Sequence, residues 1–315
     1  MQALYANEIG RESEGQPVAE TDHPMLVSKE TMQQIQKTKK LLHEKIDRSS
    51  ALFNLLLSYL GEIAFYARTE AKQRAAKYLA TSEDKNVSTK LADNLIIDAL
   101  WKNEAFQEAR EKQNTNGYIR EEWVKKLFRQ LSATDAYALY IDTAAQEKAS
   151  DKAILKCLWE EIVLTNEAFI SDLADDWTNW EDDREMMIML MSNFFNKPNL
   201  IKFRHFISEE KNEYAGSLIK TVIEKNDYLL EIIQTKLKNW EAERIAQIDL
   251  VLLKMGVSEF LYFPTIPEKV TINEYIDIAK QYSTEQSGQF VNGILDNLRK
   301  DLTAENKIRK IDLSK

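Results

Sequence analysis

The scarcity of glycine and proline is the feature that most limits how this chain can fold. The 315 residues include 8 glycines and 5 prolines, about 4% of the chain against a background of roughly 12%. Tight turns depend on these residues, because glycine adopts positive φ angles and proline fixes its own φ near the value that common turns need. A chain so poor in both has few tight turns to make. We therefore predict an all-α fold of long helices joined by short connections.

The acidic balance of the chain limits how it could bind a nucleic acid. The formal net charge is −9 and the pI is about 5.2. A protein that coats nucleic acid electrostatically needs a dense lysine and arginine surface. Any RNA affinity is therefore expected from a small patch, assisted by a partner. The six tryptophans could stack on bases, but aromatic residues at helical spacing usually pack in cores, so we assign four of the six to the core.

Motifs for catalysis, metal binding and cofactor binding are missing from the sequence. The three histidines, His23, His43 and His205, lie far apart, and no phosphate-binding glycine loop occurs. The acidic run at 175–183 is interpreted as a solvated helix start, because the helix dipole favours carboxylates there. The single Cys157 is expected to pack as a small hydrophobic residue and fits a reducing compartment. We predict a non-enzymatic, cytoplasmic protein with no cofactor and no metal.

No membrane segment is expected in this sequence. The longest apolar stretch begins at Ala51 and is interrupted by Asn54 and Glu62. It falls short of the ~20 residues that a membrane span needs. The N-terminus also lacks the basic and apolar segments of a signal peptide.

Hydrophobic periodicity predicts one helix after another along the chain. Single helices are expected at 28–78, 89–112 and 209–240, among others. Capping boxes, in which Ser or Thr precedes Glu or Gln by three residues, predict helix starts; they pair Thr178 with Glu181, Thr271 with Glu274, and Ser283 with Gln286. The predicted segments are a first-helix remnant and loop at 1–27, an extra helical region at 28–215, a C-terminal helical domain at 216–302 and a basic tail at 303–315.

The segment 289–296, QFVNGILD, departs from the helical pattern around it. Gly293 interrupts a strong helix, at a cost of about 1 kcal/mol relative to alanine. The polar Asn292 stands beside it where the pattern is apolar. Either another backbone approaches closely at this point or the glycine serves a functional surface.

From 248 to 298 the chain resembles the NusB family. The matching features occur in order: Asp249 opening an apolar helix, Glu259 near its end, the stretch IPEKVTINEYIDIAK, and the closing FVNGILD. Upstream, NWEAERIAQIDL also fits the family, and MQALYA at the start is similar to the family's first-helix motif. The likeness is strong over 228–302 and suggestive over 1–6.

The resemblance implies two small helical bundles and a function. A member would pair with a ribosomal small-subunit protein, known in this context as NusE, bind single-stranded boxA-type RNA and join the RNA polymerase antitermination complex. It implies protein contacts at Tyr5, Glu243 and Asp249, and RNA contacts at Phe290, Asn292 and Lys254. Complementary charge would orient an acidic patch on a basic ribosomal protein, and an aromatic beside an amide can read an unpaired base. Phe290 also lies on the inner stripe with Ile294 and Leu298, so a core position stays open for it.

Two departures from the family leave an alternative function open. The family's arginine-rich segment precedes the QALY motif, whereas Met1 stands directly before Gln2 here. The chain is also more than twice the usual length, similar to long members from the Bacteroidetes lineage. The alternative is a helical protein-interaction scaffold that has lost RNA binding. A further alternative is an RNA cytosine methyltransferase with a NusB-like front domain, but only 13 residues follow Leu302 and the sole Cys157 lies upstream.

Overall fold

The computed structural model describes residues 1–5, 28–143, 145–204, 206–237 and 245–311. Within these ranges the regular structure is helical, with no strand, which confirms the all-α prediction. Residues 2–5 are helical. The α-helices that follow are α1 (Lys29–Ala75), α2 (Ser82–Lys85), α3 (Leu95–Trp101), α4 (Glu104–Lys112), α5 (Glu121–Ser132), α6 (Asp135–Asp142), α7 (Lys148–Cys157), α8 (Glu167–Asp176), α9 (Trp180–Asn196), α10 (Glu209–Glu224), α11 (Asn226–Gln234), α12 (Gln247–Tyr262), α13 (Glu268–Tyr282) and α14 (Ser287–Ala304). Short 3-10 turns occupy Lys90–Asp93, Thr115–Tyr118 and Pro198–Leu200, and α7 continues into a π-helix over Leu158–Val163.

The helices divide into two compact units. One comprises Met1–Glu44 and Ile207–Lys315, and the other comprises Lys45–Phe206. The first is called the terminal unit below, and the second the inserted unit. The inserted unit is narrower than the extra region expected at 28–215, because the first part of α1 and the start of α10 group with the terminal unit.

The inserted unit is built around the apolar stretch of α1. Its residues between Ala51 and Ala67 are almost all buried, and helices α3 to α9 supply the rest of one continuous core. Trp123, Trp159, Trp177 and Trp180 are buried in this core, Trp101 is partly buried, and Trp240 lies outside the described residues. Of the five tryptophans that the structure describes, four are therefore core residues, in agreement with the expectation. Cys157 is buried here as predicted.

The long helix α1 is long enough to cross a membrane, and it contains an 18-residue segment with a mean hydropathy of 1.3, which is apolar enough to do so. However, 83% of that segment is buried inside the protein. A membrane-spanning helix presents its apolar residues to lipid, whereas the apolar stretch of α1 is covered by other helices of the inserted unit. The burial is typical of a core helix.

Several predicted helix boundaries are wrong, and local side-chain chemistry explains why. The expected helix at 89–112 is broken because Asn94 and Asn103 act as N-caps: their side chains accept hydrogen bonds from the amides that open α3 and α4. The expected helix at 209–240 is likewise two helices, which meet at Lys225.

The three predicted capping boxes are also wrong. Helix α9 starts at Trp180 and is preceded by Asn179, whose side chain accepts from Arg48 instead. Helix α13 starts after Pro267, so Thr271 falls inside it and donates to Glu259. Helix α14 starts at Ser287 and is preceded by Gln286, so Ser283 does not cap it. The sequence spacing is present in each case, but Thr271 donates to a residue of another helix and Ser283 accepts from Ser287 instead of capping a helix.

Candidate nucleic-acid and partner interface

Helix α12 is the central helix of the terminal unit, packed against α10, α11, α13 and α14. Residues from Val251 to Phe260 are buried without interruption. A helix covered by only one neighbour would bury a single stripe. Because four helices surround α12, its polar residues are taken into the interior as well.

Asp249 lies in the first turn of α12 and is only 4% exposed. Its Oδ2 accepts a hydrogen bond of 2.7 Å from the Ser287 hydroxyl at the start of α14. Its Oδ1 is buried and has no hydrogen-bond partner among the described residues. Ser287 also contacts the hydroxyls of Ser283 and Thr284. The carboxylate therefore ties the first turn of α12 to the first turn of α14, and its side chain is not offered to solvent.

Glu259, near the other end of α12, is the polar centre of the terminal unit. Its Oε1 accepts from the Tyr275 hydroxyl at 2.5 Å and from the Tyr214 hydroxyl, and its Oε2 accepts from Thr271 at 2.7 Å. Burial, with the nearby Glu259 carboxylate, raises the pKa of both Tyr214 and Tyr275 above the ordinary value of 10.0. The buried carboxylate has satisfied oxygens and joins α10, α12 and α13. Its role in this structure is packing.

Lys254 lies midway along α12 and is 1% exposed. An ammonium in that position cannot reach a phosphate on the surface unless the surrounding helices move. At the C-terminal end of α12, Lys310 of the C-terminal segment donates its Nζ hydrogens to the carbonyls of Glu259 and Phe263 at 2.7 and 2.9 Å. The basic tail is thus held against α12, at least to Ile311.

The outward face of α14 differs in character from these buried groups. Gln289, Asn292 and Gly293 are exposed. A Cβ built on Gly293 would meet nothing within 4 Å. Among the described residues, no close backbone approach explains the glycine, so the functional-surface interpretation of the sequence is favoured.

Amides and cations make up the rest of this face. Residues three or four apart on a helix are neighbours, which places Gln289 beside Asn292, and Gly293 beside Asn297. The Asn297 amide donates to the Gly293 carbonyl at 2.9 Å. One turn further, Lys300 pairs with Asp296 at 2.7 Å, and Arg299 pairs with the same carboxylate at 2.8 Å. Their hydrogen bonds lower the pKa of Asp296, so two cations face one ionised carboxylate.

Phe290 lies at the edge of that face. It is half-buried and packs partly against the core of the terminal unit, beside the inner stripe formed by Ile294 and Leu298. The structure therefore places it between the two positions that the sequence left open, with one part of the side chain inside and another accessible.

Of the predicted partner residues, Tyr5 is half-buried at the end of the helical turn at 2–5, where Ala3 and Leu4 are buried. Leu4 packs in the core of the terminal unit. Glu243 lies outside the described residues. The structure thus places Phe290 and Asn292 on the same helix, α14, with at least part of each side chain accessible, while it buries Asp249 and Lys254 in α12.

Sequence reasoning missed Ser287 and Asn297. Ser287 comes directly after the expected capping box of Ser283 and Gln286, and its contact with Asp249 spans 38 positions in sequence. Asn297 was detectable, because it stands four residues after Gly293 and continues the polar face. Among the described residues, no group of three or more His, Cys, Asp or Glu side chains could hold a metal ion.

Comparisons with known proteins match this part of the chain. The model of the NusB family matches residues 182–300. The protein named transcription antitermination protein NusB from Finegoldia magna is 37% identical over 114 residues, which cover 36% of this chain and 83% of the relative. The protein of the same name from Thermodesulfovibrio yellowstonii is 40% identical over 117 residues, which cover 36% of this chain and 78% of the relative. That from Methylacidiphilum infernorum is 42% identical over 30% of this chain and 66% of the relative. The solved structure of T. maritima NusB is 33% identical over 33% of this chain and 77% of that chain, with a TM-score of 0.30.

Proposed function

This chain belongs to the NusB family, and we propose that it is a transcription antitermination factor without enzymatic activity. It binds boxA-type single-stranded RNA of ribosomal transcripts together with a small-subunit ribosomal protein acting as NusE, within the cytoplasmic RNA polymerase antitermination complex. The names of the relatives support the antitermination role, since the matched stretch covers up to 83% of their length.

The observation that carries the RNA part of the proposal is the open surface at Gly293. A helix-interior glycine costs about 1 kcal/mol relative to alanine, and nothing within 4 Å of the Cβ position requires it. A ligand that approaches the α14 backbone closely would require it. The exposed amide of Asn292 can hydrogen-bond a base edge, and the accessible part of Phe290 can contact a base face, as proteins commonly read unpaired RNA.

Phosphate contacts in this proposal come from α14 itself. Lys300 and Arg299 lie one to two turns beyond Gly293 on the outward side, and they outnumber the single carboxylate of Asp296. Lys254 is a third RNA-contact candidate from the sequence, beside Phe290 and Asn292, but its side chain is buried in the terminal unit. Its replacement would alter RNA binding only by disturbing the helices around it.

The protein-partner part of the proposal rests on Tyr5 and the acidic balance of the chain. Tyr5 has an accessible side chain next to a buried Leu4, so it can be replaced with little effect on the core. Asp249 acts indirectly, because its carboxylate positions the start of α14 through Ser287. Charge reversal there would bury a cation and unfold the helix junction, so it is a poor test of partner binding. Glu243 stays a proposed contact from the family resemblance.

The experiment is fluorescence anisotropy of a short boxA-like RNA, titrated with the chain alone and then with the NusE-type ribosomal protein added. We expect tighter binding with both proteins present. The variant Asn292→Ala should weaken that binding, and Tyr5→Ala should reduce the gain from the ribosomal protein. Asn193→Ala, which removes an exposed helical amide in the inserted unit, serves as the matched control and should behave like the unchanged chain.

Each alternative result has a distinct meaning. Association of the two proteins without RNA binding would replace this proposal with the protein-interaction scaffold. Loss of both associations would contradict it altogether.

A further inference from the structure

The turn between α1 and α2 presents the most exposed large hydrophobic side chains of the described residues. Tyr78 is 100% exposed and Leu79 is 81% exposed. A single exposed hydrophobic residue needs no explanation. Two adjacent ones at the end of the longest helix, one of them a fully solvated aromatic ring, form a small protruding surface. We call residues 71–85 the Tyr78 turn.

The Tyr78 turn is held in one conformation by Asp84. Its Oδ1 accepts from Arg74 at 2.8 Å and from Lys77 at 3.0 Å, and its Oδ2 accepts from the Thr81 backbone amide at 3.2 Å. In return, the Asp84 amide donates to the Thr81 hydroxyl, which completes a capping box. The links bracket Tyr78 and Leu79 on both sides. The turn therefore exposes the two side chains while its backbone stays tied down, which lowers the entropy cost of binding a ligand.

The charge of the Tyr78 turn is opposite to that of the chain. The turn contains four basic residues and two acidic ones, whereas the whole chain carries a net charge of −9. The basic residues are Lys72, Arg74, Lys77 and Lys85, and the acidic ones are Glu83 and Asp84. Asp84 engages Arg74 and Lys77. Lys72 and Lys85 are exposed and have no ion pair among the described residues. An exposed aromatic ring, with exposed lysines six residues before it and seven residues after it in the sequence, fits a ligand with flat π-faces and negative charges at short intervals.

We propose that the Tyr78 turn is a second binding site for single-stranded RNA, located in the inserted unit. Tyr78 stacks on an unpaired base, and Lys72 and Lys85 contact the phosphates beside it. Stacking of this kind tolerates any base, because every base has a π-face. The site lies outside the stretch matched by the family model, at 182–300. It goes beyond the proposed boxA contact of α14 and gives the inserted unit a function of its own.

The test is binding of a fluorescein-labelled 20-nucleotide oligouridylate to the full chain, measured by anisotropy. Replacing Tyr78 by alanine should lower the affinity about tenfold, the typical loss for one stacked base. Tyr78→Phe should bind like the unchanged chain, since the ring is kept. Tyr78→Leu should bind like the alanine variant, since hydrophobicity without a π-face does not stack. Leu139→Ala, at another exposed position of the same unit (72% exposed), is the matched control and should have no effect.

The charged part of the site has its own test. The double variant Lys72→Glu and Lys85→Glu should weaken oligouridylate binding and flatten its dependence on salt. Lys148→Glu changes the charge of an exposed lysine elsewhere in the unit and should leave both unchanged. None of these side chains is buried, so circular dichroism should show the same helix content in every variant.

Two results would overturn the proposal. Oligouridylate binding that is equal in the Tyr78→Ala chain and the unchanged chain would remove the site. Sedimentation of the chain with vesicles containing phosphatidylserine, lost in Tyr78→Ala but kept in Tyr78→Leu, would reassign the turn to a lipid surface. The proposal is separable from the α14 function: Asn292→Ala should weaken boxA binding and spare oligouridylate binding, and Tyr78→Ala should do the reverse.

Discussion

Replacement of Gly293 by alanine separates stability from function at the α14 surface. The glycine is in the interior of an 18-residue helix, and the Cβ of alanine would enter open space. The change therefore adds the difference in helix propensity without a steric cost, about 1 kcal/mol of stabilisation. For a unit of this size, that corresponds to a rise of about 3 °C in Tm. We expect the free energy of unfolding to increase and RNA affinity to decrease.

The measurement pairs urea unfolding, followed by circular dichroism at 222 nm, with anisotropy of the boxA-like RNA. Gly256→Ala is the matched control. Gly256 is also within a helix, but its added Cβ would lie 2.8 Å from Leu295 Cδ2 and 3.1 Å from Cδ1. The gain in helix propensity is opposed there by a contact that forces Leu295 to move. The control should therefore show little or no stabilisation. Its RNA binding should be unchanged, because Leu295 can move without displacing the exposed face of α14.

The reasoning fails under either of two results. A destabilised Gly293→Ala variant would mean that position 293 cannot accept a Cβ, because of its backbone conformation or of a neighbouring group. A stabilised variant with undiminished RNA affinity would mean that the open surface does not receive the RNA backbone or bases, and the observation that carries the proposed function would be lost.

Three further predictions concern the two cores. Gly61→Ala should destabilise the inserted unit by about 1–3 kcal/mol, the usual range for overpacking, because its Cβ would lie 1.9 Å from the Trp101 ring; tryptophan fluorescence in a urea titration measures this, and an unchanged midpoint would contradict the close packing. Glu259→Gln should cost the terminal unit about 1–3 kcal/mol, because one of three hydroxyl donors loses its acceptor. Circular dichroism in urea tests this, with Glu213→Gln at an exposed position of α10 as the control. Stability should also fall at alkaline pH. Burial raises the pKa of Tyr275 above 10.0 and that of Tyr137 to about 12, so the stability that these two neutral side chains contribute is fully present below pH 10 and is lost as pH rises through their folded-state pKa values. The measurement is tyrosinate absorbance of the unchanged chain minus that of Tyr275→Phe or Tyr137→Phe: a difference that appears only with unfolding supports the prediction, and one that appears at pH 10 in the folded chain refutes it.

Much of the architecture follows from local sequence. The scarcity of glycine and proline predicts helices, and the apolar periodicity predicts their approximate positions, because both depend on neighbouring residues. The anomaly at Gly293 was also visible, since helix propensity is a property of a residue and its immediate context. The burial of four tryptophans follows from their helical spacing in the same way.

Helix boundaries show where local reasoning stops. Thr271 and Ser283 stand at capping-box spacing, yet neither caps a helix. Thr271 donates instead to Glu259, and Ser283 contacts Ser287, which binds Asp249. The Thr271 hydroxyl bonds an acceptor that the folded chain brings to it from another helix, and a short sequence window around Thr271 does not contain that acceptor.

Tertiary structure alone decided which candidate residues can meet a ligand. Sequence placed Asp249 and Lys254 among functional positions, and both became buried because four helices enclose α12. Asn292, a polar residue in an apolar pattern, and Gly293, a glycine inside a helix, stand out in the sequence as much as Asp249 and Lys254 do. They are exposed because no described helix covers the outer side of α14. Exposure depends on the packing of segments far apart in the chain: Tyr214 reaches Glu259 across 45 residues, and Ser287 reaches Asp249 across 38. Local patterns determine that a helix forms, whereas the number of neighbours around it determines which of its faces reaches solvent.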